Sequence, residues 1–121
     1  MTEATLNLKF PKDFFKDYAR DKPCLIRIAR EVLGQPCASE ETTVLCHYTL
    51  AGYKAMGSRK ASLPDLCGAW GCRICHDIVD GRIDAVRVMR SVQLDMIKRW
   101  HAEGVMRTLD ALVKAGVLPN P

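Results

Sequence analysis

The sequence predicts an α+β domain in which a small metal-stapled half of loops and strands is followed by C-terminal helices. Three observations predict it. The chain carries six cysteines in 121 residues, two of them as Cys72-x-x-Cys75, a spacing at which two thiolates can bind one ion. The run TTVLCHYTL, Thr42 to Leu50, is rich in the β-branched residues that favour strands. After Asp80-Gly81 the apolar residues change to three- and four-residue spacing, the period of a helix.

A chain this long forms one domain with a modest core, and its 48% apolar and 26% charged residues suit a soluble globular protein. Two parts are expected, a partly ordered arm over 1–22 and a single domain over 23–121. No apolar run approaches a membrane span. The start, MTEATLNLKFPKDFF, has acids and no apolar h-region, so a cytoplasmic location is expected rather than export. Disulfides are disfavoured in that reducing compartment, and close cysteine pairs there more often hold metal. A net charge of +4 is compatible with a polyanionic partner without demanding one.

In chain order, Phe10, Phe14, Phe15 and Tyr18 form an aromatic cluster, and Pro11 suits the opening of a short helix over KDFFKDYARD. From Cys24 to Cys75 the pattern is loops and short strands: CLIRIAREV alternates imperfectly, GQPCASEE is turn-like, and TTVLCHYTL is the best strand. KAMGSRKASLPDLCGAW reads as a basic loop of small residues, the kind that carries function rather than core. Val86, Met89, Val92, Met96 and Trp100 mark a first helical stretch. Val105, Leu109, Leu112 and Val113 mark a second, which stops at Gly116.

Cys24 and Cys37 flank one loop, and with Cys72 and Cys75 they would complete a Cys₄ zinc site. Cys46 and Cys67 are left as small buried hydrophobes. The alternative is a set of unconnected thiols. C-x-x-C-H also reads as haem attachment, but that belongs to exported proteins, and a redox pair would want a βαβ context. His76 and Asp80 are four residues apart, on one face of a starting helix, and could bind Mg²⁺ or Mn²⁺. Alternatively the acids merely suit the helix N-terminus. Strand alternation turns His47 away from Cys46 and Tyr48. A strand histidine, a loop with Asp65, a C-x-x-C and a histidine opening a helix follow the outline of the ββα-metal, or HNH, nucleases.

On Cys24 with Cys37, TTVLCHYTLAG, LPDLCGAWGCRICHDIVDGR and HAEGVMRTLDALVKAGVL, the chain resembles the phage- and prophage-encoded YbcO-like nucleases of the broader HNH family. The resemblance runs from Cys24 to Leu118. It implies a metal-dependent endonuclease cleaving DNA phosphodiester bonds, with His47 as general base and His76, helped by Asp80, holding the catalytic Mg²⁺ or Mn²⁺. Asp65 falls near the position usually held by asparagine. Cys46 stands where many relatives carry a metal-binding acid or histidine. Cys24, Cys37, Cys72 and Cys75 match the structural zinc ligands. Lys54, Arg59, Lys60, Arg73 and Arg82 are expected to contact phosphates. A role in phage recombination or DNA processing is implied by the resemblance alone. Expected partners are DNA and, beyond it, a second copy of the chain or phage recombination proteins, with no membrane. Two rival readings stay open: a non-catalytic zinc-stapled nucleic-acid-binding accessory protein, and a zinc-built protein–protein adaptor.

Overall fold

The computed structural model describes residues 10–48, 65–80 and 92–119, the side chains of 92–95 excepted. Helix α1 (Phe14–Tyr18) and helix α2 (Ile28–Glu31) precede a 3₁₀ turn at Glu40–Thr42 and strand β1 (Val44–His47). A second 3₁₀ turn (Asp65–Cys67) leads into strand β2 (Gly68–Gly71), helix α3 (Arg73–Val79) and the long helix α4 (Val92–Lys114). The result is mixed helix and a small antiparallel sheet, the α+β class expected.

The sheet pairs β1 with β2 antiparallel in the register Val44↔Gly71, Leu45↔Trp70, Cys46↔Ala69 and His47↔Gly68. Strand β2 corrects the reading of GAW as part of an exposed functional loop, because all four of its residues are buried. Glycine has low β propensity, yet any larger residue here would force its neighbours to shift. A Cβ on Gly71 would lie 2.6 Å from Ile26 Cδ1 and 2.9 Å from Cys46 Sγ. One face of β2 meets α4: the Trp70 N–H donates to Thr108 Oγ1 (3.0 Å), and that hydroxyl donates to the Gly104 carbonyl (2.8 Å). The Leu25 and Ile26 N–H groups donate to the Trp70 carbonyl at 2.7 and 3.2 Å. β2 is thus held on every side although it is four residues long.

Two apolar clusters flank this strand. Ile26, Ile28, Ala29, Cys46, Ala69, Ile78 and Ile97 pack around Cys72 and Cys75, and Phe15, Ala19, Leu25, Trp70 and Leu112 form the other. Helix α1 closes the second cluster through a chain of rings, Phe10 against Phe15 at 4.7 Å and Tyr18 against Trp70 at 6.1 Å.

Two helical stretches were expected at the C-terminus, and among the described residues one continuous helix spans the expected break between them, over Val92–Lys114. It stops where expected. Gly116 takes a left-handed φ of 79°, with Gly116 N–H donating to Val113 O and Val117 N–H to Leu112 O, the paired bonds of a Schellman cap. The buried stripe of α4 runs through Ile97, His101, Gly104, Thr108 and Leu112, whereas Met96 is exposed. Apolar periodicity placed that stripe at 96 and 100 because a histidine, a glycine and a threonine occupy the true one. None of the described helices is long and apolar enough to cross a membrane. Val86, Met89, the end of the predicted strand at 49–50, and Lys54, Arg59, Lys60 and Arg82 lie outside the described residues.

Candidate functional site

The cysteine site is assembled from two half-sites with the same local bond. Cys72 is the N-cap of α3, and its Sγ accepts the Cys75 N–H at 3.5 Å. Cys24 Sγ accepts the Arg27 N–H, also three residues on, at 3.5 Å. Arg27 takes a left-handed φ of 64° there. No cysteine stands at position 27, so the second ligand of this half-site returns after α2 as Cys37. The Ala29 N–H donates to Cys75 Sγ and the Ala38 N–H to Cys72 Sγ, both at 3.4 Å. Amide donors aimed at sulfur favour the thiolate that binds metal.

All four sulfurs lie within 4.8 Å of one another, and Cys37 Sγ is 4.0 Å from Cys75 Sγ. A tetrahedron with metal–sulfur bonds of about 2.3 Å has edges of about 3.8 Å, so four cysteines of this spacing fit a metal such as zinc. Cys72 and Cys75 are fully buried, while Cys24 and Cys37 are half-buried. Hydrogen bonds from the Cys24 and Cys75 thiols push Cys72 down, making it the thiolate. Thiol hydrogen bonding with Cys24 and Cys72 pushes Cys75 up, and burial, then the charges of Cys24 and Cys72, raise Cys37 to about 11. A metal cation is the group that can hold all four as thiolates.

A second constellation lies across the sheet end. Cys46 is 1% exposed, so strand alternation leaves its neighbour His47 half-exposed at the end of β1. The 3₁₀ turn before β2 brings Asp65 back beside it, with His47 Nε2 at 2.6 Å from Asp65 Oδ1. A carboxylate only accepts, so the contact places the ring proton on Nε2 and leaves Nδ1 as the basic nitrogen. On α3, His76 Nε2 is 3.2 Å from Asp80 Oδ2 at i, i+4 spacing, both groups about a quarter exposed. Arg73 begins that helix with an exposed side chain, its N–H held by Thr42 Oγ1 at 3.1 Å.

Sequence reasoning missed His101. It is 7% exposed and bonded through Nε2 to the Cys46 carbonyl at 2.9 Å. Burial pushes its pKa down, and Asp80, His76 and His47 are all close enough to influence it electrostatically. The available signal was a polar residue four positions from both Ile97 and Val105 in an otherwise packed helix.

Residues 14–117 match the family described as "Putative nuclease YbcO". That match starts ten residues before the point where the resemblance is legible by eye, taking in α1. The fold is similar to a solved structure described as a "putative bacteriophage protein from Escherichia coli str. K-12 substr. MG1655", with a TM-score of 0.57 and 31% identity. The alignment covers 84% of this chain and 98% of that one. Among curated proteins, none matches significantly. With the matched span taking in both strands, all four clustered cysteines and the whole of the long helix, this chain belongs to the YbcO nuclease family.

Proposed function

We propose that the protein is a metal-dependent DNA endonuclease of the HNH type, with β1, β2 and α3 as its ββα unit. The observation that carries this reading is the 2.6 Å contact of His47 with Asp65, on the sheet whose next element is the helix bearing His76 and Asp80. In this reading Cys24, Cys37, Cys72 and Cys75 hold a structural zinc, which supplies rigidity that so short a sheet lacks.

Hydrolysis needs water to attack phosphorus as the bond to the 3′-oxygen breaks. His47 Nδ1 takes the proton of that water, and Asp65 keeps the ring in the required tautomer and stabilises the imidazolium that forms. His76 and Asp80 would hold Mg²⁺ or Mn²⁺, which supplies positive charge for the scissile phosphate and the leaving oxygen. Two protein donors suit Mg²⁺, which keeps several of its waters. Lys54, Arg59, Lys60, Arg73 and Arg82 are the proposed phosphate contacts. The setting we infer is cytoplasmic, in phage recombination or DNA processing, with the arm 1–22 appended to one domain over 23–121 and a second copy of the chain or a recombination protein as partner.

One observation favours the second reading, a non-catalytic nucleic-acid-binding accessory protein. Cys46, where an acid or histidine would add a metal ligand, is buried on the far face of β1. Cleavage of single-stranded, duplex and branched DNA by zinc-loaded protein with Mg²⁺, Mn²⁺ or EDTA separates the two. Cleavage that needs the added metal and vanishes in a folded His47→Ala protein supports the nuclease. Binding without cleavage on every substrate supports the accessory protein.

A further inference from the structure

The long helix α4 lies outside the ββα unit, yet one of its side chains grips both chain neighbours of His47. His101 Nε2 is 2.9 Å from the carbonyl oxygen of Cys46, the residue before it. The His101 ring meets the ring of Tyr48, the residue after it, edge to face at 5.1 Å between centroids and 65° between planes. A carbonyl accepts only, so His101 carries its proton on Nε2 and donates.

His47 is the last residue of β1, paired with Gly68, so the sheet does not extend beyond it among the described residues. The Tyr48 N–H still donates to the Cys67 carbonyl at 3.1 Å, which ties the backbone on one side. The other side is held by His101. Its location explains why a histidine occupies a buried helix face where a leucine would otherwise add apolar burial. Thr108, two turns further along the same stripe, does the equivalent task for β2 through the Trp70 N–H, but it touches no candidate catalytic group.

We propose that His101 is a positioning residue for His47: by holding the Cys46 carbonyl and the Tyr48 ring it sets how the end of β1 presents the His47 imidazole to Asp65 and to the attacking water. This rests on His47 as the base. His101 acts through β1 and does not touch the reacting phosphate, so its loss lowers turnover and leaves substrate binding in place. Gln is the conservative variant, since its side-chain amide can reach the same carbonyl. Leu fills the space without a donor, and Asn has a donor on too short a stem.

The experiment compares His101→Gln, His101→Leu and His101→Asn with the wild type in zinc content, cleavage kinetics and nitrogen-edited NMR of the imidazole rings. The chain has three histidines, so their ring signals can be assigned one by one. The expected result is full zinc content throughout, with kcat lowered at least about 10-fold in Leu and Asn, KM within about 2-fold, and Gln within about 3-fold of wild type. The His47 ring nitrogens should shift in Leu and Asn and stay in place in Gln. Equal activity of Leu and wild type, or equal loss in Gln and Leu, overturns the proposal. Should Leu fail to fold, Asn provides the comparison. If the wild type cleaves nothing, the nuclease reading falls, and the ring spectra still decide: unshifted His47 signals in Leu and Asn sink the positioning role.

Discussion

Gly104 and Ile26 approach so closely that a Cβ on the glycine would lie 3.1 Å from both the Cα and the Cγ1 of Ile26, and 3.2 Å from Ala69 Cβ. This contact lets α4 press on β2 and on the segment that follows Cys24. Replacing a mid-helix glycine with alanine normally stabilises by about 1 kcal/mol. Here the added methyl meets the Ile26 backbone and the Ala69 methyl, which must move by a few tenths of an ångström to admit it, and overpacking typically costs about 1–3 kcal/mol. Gly104→Ala should therefore lower stability, by about 1 kcal/mol net, read as a lower urea midpoint at unchanged slope. A raised midpoint would mean that the helix can shift away from Ile26 without loss.

The same glycine shows what the sequence made legible and what it hid. Read alone, Gly104 looks like the break between two helical stretches, because helix propensity is local while the need for close approach is tertiary. Strand β2 was hidden for a related reason: Gly68 and Gly71 lack side chains because Leu45, Ile26 and Cys46 occupy that space. Cys72 with Cys75, and His76 with Asp80, were legible because each pair lies about one helical turn apart, where spacing determines geometry. The pairing of His47 with Asp65 was only an outline until β1 and the 3₁₀ turn brought them together. His101 left no local signal beyond its misfit with an apolar stripe.

The role of Asp65 can be tested separately from that of His47. An asparagine at 65 still offers an oxygen to His47 Nε2–H, though without the charge that stabilises an imidazolium. Asp65→Asn should therefore retain more cleavage than Asp65→Ala, with Ala losing about 10–100-fold against the 10²–10⁴-fold typical of losing a general base. Single-turnover cleavage rates with the metal fixed would show the order. Equal rates for both variants would remove Asp65 from the orienting role.

The cysteine cluster predicts one tightly bound zinc per chain and a pH dependence of known sign. In the metal-free chain Cys37 is raised to about 11 and Cys75 is also raised, so both are thiols at neutral pH. Zinc must displace their protons, and its affinity should rise with pH from 6 to 8. Competition against a chromogenic chelator measures this directly. Cys75→Ser, which removes a fully buried ligand, should lose zinc and melt earlier, whereas Cys67→Ser should keep its metal. Affinity independent of pH would mean that the thiols are already ionised before metal arrives.

Burial of His101 predicts a specific weakness to acid. Its folded pKa lies below the ordinary value of 6.5 because burial disfavours the cation, an effect that outweighs the bond to Cys46 and the nearby Asp80 charge. A group with a depressed folded pKa contributes stability that is present above the unfolded value and lost as pH falls through the folded one. Between those values the unfolded chain binds the extra proton, so unfolding free energy should fall with acid by at most about 1.4 kcal/mol per pH unit from this group. His101→Gln cannot take that proton. Because His47 and His76 remain in both proteins, the difference between the two stability curves isolates residue 101. The urea midpoint of zinc-saturated wild type should fall relative to that of His101→Gln as pH drops from 7.5 to 5. Parallel curves over that range would mean that His101 accepts its proton in the folded chain as readily as in the unfolded one.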